Sequence, residues 1–65
     1  MSYYDYRVSQ EIAATDPPFA ALIMAAARKA DSDNVELLRE AWPETIAELR
    51  ARYNAPGGLL PGESS

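Results

Sequence analysis

The chain has 65 residues, ten acidic and six basic, for a net charge of −4, with no cysteine and no histidine. A chain this short buries only about 60% of its unfolded surface, and neither a disulfide nor a zinc site is there to staple it, so homo-oligomerisation is the expected support. The acidic balance argues against a nucleic-acid binder, which needs a basic face to neutralise phosphates. Without histidine or cysteine the usual general base, thiol nucleophile and zinc site are missing, so neither an enzyme nor a metal or other cofactor is expected.

The start Met1-Ser2-Tyr3-Tyr4-Asp5 has no basic segment ahead of an apolar core, so no secretory leader is read, and the expected location is the cytoplasm. Ser2 and Asp5 have the spacing of a capping box, with Asp where Glu or Gln is usual. Tyr4, Val8 and Ile12 recur once per turn, widened by Tyr3 and Ala13. This predicts a first helix over about 3–14, with Tyr4 toward the core. Tyr3, Tyr6 and Arg7 fall wholly or partly outside that stripe. Their rings and guanidinium suit a planar anionic ligand such as a nucleotide, by stacking and charge-assisted hydrogen bonds. The plainer reading has these tyrosines packing at a bundle edge or in an oligomer interface.

Pro17 and Pro18 then force a stop, and the first two helices are expected to meet in a tight corner. Asp16 reads as the N-cap of a second helix over about 17–30, with Pro17 in its first turn. The run Phe19–Ala27 is wholly apolar and rich in alanine, with Arg28 and Lys29 at its end. Those cations complement the helix dipole and are also candidate ligand contacts. Phe19, Leu22, Ile23, Ala26 and Ala30 make one stripe, and Ala20, Met24 and Ala27 a second. A helix apolar all round is expected to be buried on more than one side and to organise the fold. It is too short for a membrane span, which needs about 20 residues. Its small residues also favour close approach of a second copy.

Asp31-Ser32-Asp33-Asn34 is a polar break, with Asp33 and Glu36 spaced as the next capping box. The alternating aspartates resemble the opening of a calcium loop, but the loop glycine is missing and Trp42 stands at the twelfth position, so turn and cap chemistry is the better account. Val35, Leu38, Trp42, Ile46, Leu49 and Tyr53 keep a helical period that Pro43 interrupts. Two helices are predicted, over about 34–41 and 43–53, with a Glu48–Arg52 pair on the outer face and Asn54 as C-cap. Trp42 reads as a core anchor of the corner, or more sharply as a hot spot for a protein partner. Glu36, Glu40, Glu44 and Glu48 recur every four residues and would share one face only if the helix were continuous; they read as a solvated face. Arg50, Arg52 and Tyr53 form a further basic and aromatic group, which in a paired assembly could help build a pocket that no single chain contains. Residues 1–54 are thus expected to form one helical domain and 55–65 a flexible C-terminal tail, in which Leu59 and Leu60 could dock on a neighbour. The fold class is all-α, a compact orthogonal bundle of three to four short helices.

With Asp16-Pro17-Pro18-Phe19, Ala21–Ala26, Asp33-Asn34 and Ala51–Gly58 in view, the chain resembles a set of small helical proteins encoded by actinobacterial phages and prophages, over residues from about 5 to 62. That resemblance implies an accessory protein of a mobile element, at work in the host cytoplasm, and brings no activity with it. The chain is more weakly similar to small helical phage proteins that sequester cyclic nucleotide immune signals. Those form oligomers and carry a Tyr-Arg pair in an early helix with a Lys in the next. Tyr6-Arg7 and Lys29 would match these, while the Asp-Pro-Pro corner and the spacing of the Lys depart from the pattern. The resulting expectation is a non-enzymatic counter-defence protein that sequesters a nucleotide-type signal between subunits, through Tyr3, Tyr6, Arg7, Arg28 and Lys29. The alternative is a protein–protein inhibitor or adaptor presenting Glu36, Glu40, Trp42 and Glu44 to a host protein. A virion structural role is a third reading.

Overall fold

A computed structural model of the chain describes residues 2–63, all helix and connections, with no strand among them. Four α-helices, α1 (Tyr3–Ala14), α2 (Phe19–Lys29), α3 (Ser32–Ala41) and α4 (Pro43–Tyr53), are followed by a 3-10 turn at Pro56–Gly58. No helix among the described residues is long and apolar enough to cross a membrane.

Local chemistry accounts for the helix ends. The Asp5 N–H donates to Ser2 Oγ and the Ser2 N–H to Asp5 Oδ2, both at 3.1 Å, closing the capping box that starts α1. At its far end Thr15 Oγ1 donates to the Ile12 carbonyl (2.7 Å), and the Asp16 N–H to that of Ala13 (3.0 Å). Asp16 has φ +53°, a left-handed conformation that Asp tolerates better than most residues. It therefore ends α1 and does not cap α2, correcting the sequence reading. The reason is the double proline: each ring pushes the residue before it out of the α region. Pro18 accordingly sits at the N-cap with ψ 146°, no side chain caps α2, and that helix starts only at Phe19.

A second correction concerns α3. Its cap is Asp31, whose carboxylate accepts from the Asn34 N–H at 2.8 Å, so the helix begins at Ser32. Asp33 lies inside the first turn, where its charge suits the dipole. Trp42 (φ −133°, ψ 66°) closes α3 and opens α4, with Pro43 in the first position of α4; the break falls where the sequence places it.

The helices pack around α4, which touches α2, α3 and the 3-10 turn, while α2 also touches α3. Ile23 of α2 and Ile46 of α4, 8% and 5% exposed, are the buried hydrophobic residues of the described chain. Burial on more than one side, expected of α2, does not occur. Leu22, Met24 and Ala27 are half-buried, whereas Ala20, Ala21, Ala25, Ala26 and Phe19 are exposed. Phe19 meets Trp42 edge-on, with ring centroids 5.8 Å apart. Trp42 stays 39% exposed, a partly covered corner residue and not a core anchor.

α1 packs on none of the other described elements. Tyr4, expected in the core, is 73% exposed and Ile12 46%. With α1 standing off, the molecule measures 43 × 27 × 16 Å and its radius of gyration is 13.7 Å, against about 11 Å for a globular chain of this length. In urea melts of the dilute protein, Ile46→Ala should lower the unfolding free energy by about 2–4 kcal/mol. Tyr4→Ala should change it by less than about 0.5 kcal/mol. Equal losses would contradict this packing.

Candidate functional site

Two hollows flank the α2 helix. Between α2 and α4 lies a cleft of about 240 Å³ lined by Ala27, Arg28, Val35, Ile46, Leu49, Arg50 and Tyr53. Arg28 comes from the last turn of α2. Arg50 and Tyr53, three residues apart, project from one face of α4, one turn beyond Ile46. The Arg28 guanidinium lies over the Tyr53 ring, 5.9 Å from its centroid, within cation–π range. Neither Arg28 nor Arg50 takes part in an ion pair among the described residues. Arg50 also borders a second hollow, shared with Arg39, Pro43, Ile46 and Ala47. There Arg39 pairs with Glu36 at 2.9 Å, while its Nε is buried without a hydrogen-bond partner. Uncompensated guanidinium donors beside an aromatic ring and an apolar floor can hold a planar anion by stacking and charge-assisted hydrogen bonds.

On the other side, α2 and α3 enclose an open groove of about 640 Å³, with Ala26, Ala30, Leu38 and Ala41 in its walls and Lys29, Asn34, Leu37 and Trp42 around them. Leu37 is 61% exposed. This groove is mostly apolar, with Lys29 the one charged residue among the described residues that line it.

The residues chosen from the sequence are distributed over these features. Tyr3, Tyr6 and Arg7 are exposed on α1, away from every other helix. Arg28 and Lys29, adjacent in sequence, diverge into the cleft and the groove respectively. No single chain brings the α1 group to either. Glu36 and Glu40 belong to α3, Glu44 and Glu48 to α4, with the corner at Trp42 between, so they do not share one continuous helical face. Glu44 lies beside Trp42 in a shallow hollow at that corner. Arg39 carries no signal in the sequence pattern, and the convergence of Arg28 with Arg50 and Tyr53 depends on the α2–α4 packing. The only sequence signal was the i, i+3 spacing of Arg50 and Tyr53.

Arg52, grouped with Arg50 from the sequence, has a different task. Its Nε donates to Glu48 Oε2 (3.0 Å), Nη1 to the Gly58 carbonyl (2.9 Å) and to Glu63 Oε1 (2.7 Å), and Nη2 to Glu63 Oε2 (2.8 Å). The Leu60 N–H also donates to Glu63 Oε1, at 2.9 Å. Of the segment read as a tail, residues 55–63 are described and Ser64 and Ser65 lie outside. The described part turns back onto α4, with Leu59 and Leu60 half-buried. The hydrogen bonds from Arg52 and then from Leu60 hold the Glu63 carboxyl down at about 2, and those carboxylates raise the Arg52 guanidinium above its ordinary range.

Among the described residues no group of three or more potential metal-ligating side chains is assembled. Comparison of the chain with known protein families, curated proteins and solved structures finds no match.

A carboxyl held low in the folded state stabilises that state fully above its ordinary value of 4.5, and the contribution fades as pH falls toward about 2. Titrating Glu63 by NMR should give a midpoint near 2, moving up toward 4.5 in Arg52→Gln; a wild-type midpoint already near 4.5 would show that the clamp does not form in solution.

Proposed function

We propose that the protein is a non-enzymatic binding protein that takes up a small nucleotide-type ligand as a homo-oligomer, serving a phage-type counter-defence role by sequestration. The observation that carries the reading is the α2–α4 cleft, where Arg28 and Arg50 stand beside Tyr53 without an ion pair among the described residues. A cleft of about 240 Å³ is smaller than the ~300–1,000 Å³ of ordinary ligand pockets. It accommodates one part of a nucleotide, a base or a phosphate, and leaves the remainder to be covered from outside. A second subunit would supply the missing wall.

A second reading is favoured by a separate observation. Phe19 in edge contact with Trp42, and Leu37 in the groove that Trp42 also lines, offer exposed apolar surface with Glu44 beside Trp42 and Glu40 two residues before it, suited to a basic and apolar patch on a host protein.

Calorimetric titration with a nucleoside 5′-monophosphate and its parent nucleoside separates the two. The account expects binding of the phosphate form alone, weakened at least about tenfold in Arg28→Ala and Arg50→Ala, as loss of a charge-assisted contact implies. Loss of binding in Tyr6→Ala and Arg7→Ala as well would support a site completed between subunits. Equal binding of monophosphate and nucleoside, or binding indifferent to Arg28 and Arg50, would overturn the cleft as the site.

A further inference from the structure

The chain carries two surfaces that lack a partner and match each other. On α1 Tyr4 and Ile12 are exposed and Val8 between them is half-buried, and no other described helix packs on the stripe they form. A lone 12-residue helix is marginal in water, because nucleation is costly and propagation alone offsets it slowly. Between α2 and α3 the apolar groove has no helix in it. We propose that two copies of the chain exchange their first helices, each laying its Tyr4–Val8–Ile12 stripe in the α2–α3 groove of the other. This rests on the homo-oligomer part of the function proposed above and names the surfaces that make it.

Three observations point to a second copy as the occupant. The first is fit. At 1.5 Å per residue α1 is about 18 Å long, close to the lengths of the α2 and α3 walls. Ala26, Ala30 and Ala41 in those walls let a helix backbone approach closely. The second is charge. Lys29 is the one charged residue among the described residues lining the groove. Glu11, three residues after Val8, lies at the edge of the α1 stripe, as Arg7 does one turn earlier beside Tyr4, and Asp5, the other α1 carboxylate, is already engaged in its capping box. The third is the connection. Asp16 in the left-handed region and Pro18 in an extended conformation make a connection that the two proline rings stiffen, and α1 packs on none of the other described elements, so its stripe is available to another molecule. Tyr4, Ile12, Leu37 and Trp42 are 73%, 46%, 61% and 39% exposed. Covering all four in both copies supplies most of the roughly 1,200 Å² at which specific interfaces begin.

Each exchanged dimer contains the Glu11–Lys29 pair twice, so reversing one charge replaces two attractions by two repulsions. Sedimentation equilibrium over a range of concentrations tests this on the full chain, with helicity followed by circular dichroism. The wild type should dimerise. Glu11→Lys and Lys29→Glu should each weaken the dimer at least about tenfold, the double variant should recover most of that loss, and Tyr4→Ala should weaken it with the monomer's helicity kept. A dimer indifferent to these changes, or a double variant as weak as the sum of its parts, would overturn the exchange and leave homo-oligomerisation standing on another face. A wild type monomeric at every concentration would overturn both. A one-to-one complex with a protein from a host lysate that is lost in Leu37→Glu, from a chain that does not self-associate, would assign the groove to a foreign partner instead.

Discussion

The packing of α4 against its neighbours is the interaction on which everything else depends. Ile46 of α4 and Ile23 of α2 are the buried hydrophobic residues among those described, while Leu22, Met24, Ala27, Val35, Leu38 and Leu49 are only half-buried. Such a core removes little apolar surface from water, and the ordering entropy of some sixty residues stands against it. The device that extends it is polar. Arg52 binds Glu48 within its own helix, then the Gly58 carbonyl and both carboxylate oxygens of Glu63, drawing the C-terminal turn onto α4 and lowering the exposure of Leu59 and Leu60. Exposed ion pairs contribute little singly, but a bidentate guanidinium that also holds a backbone carbonyl fixes a chain direction as well as a charge.

The connection between α1 and the rest sets the second constraint. Two prolines after a left-handed Asp16 end one helix and delay the next, leaving four residues with little freedom to fold back. An amphipathic helix is thereby presented to its surroundings. The same geometry separates Tyr3, Tyr6 and Arg7 from Arg28, so the proposed function depends on assembly, with the cleft beside Tyr53 completed by a second subunit.

Much of the helical plan was legible in the sequence. The Ser2–Asp5 capping box and Pro43 at a first helical position mark α1 and α4 at the residues where they are found, because each signal acts within one turn of the boundary it sets. Where signals competed, the reading slipped. Asp31 and Asp33 are both competent caps for α3, and the helix starts from the earlier, whose carboxylate accepts from the Asn34 N–H. Asp16 looked like a cap because a proline followed it, and the second proline removed that role. Packing partners were the least legible level. The Tyr4–Val8–Ile12 period tells which face of α1 is apolar but not whether anything covers it, and the all-round apolarity of α2 suggested burial that one chain does not provide. The cleft of Arg28, Arg50 and Tyr53 depends on how α2 lies against α4, and the Arg52–Glu63 clamp on a turn through Gly57 and Gly58, both with positive φ, that no helical period announces.

The central claim is that residues 19–63 form a folded unit around α4 while α1 gains its partner only from another molecule. Amide hydrogen exchange, read residue by residue in dilute and in concentrated solution, tests it most directly. The account expects α2, α3 and α4 to be protected at both concentrations, and α1 to be protected only where the protein associates. Protection of α1 equal to that of α4 in the dilute monomer would contradict it, since it would place α1 against its own chain.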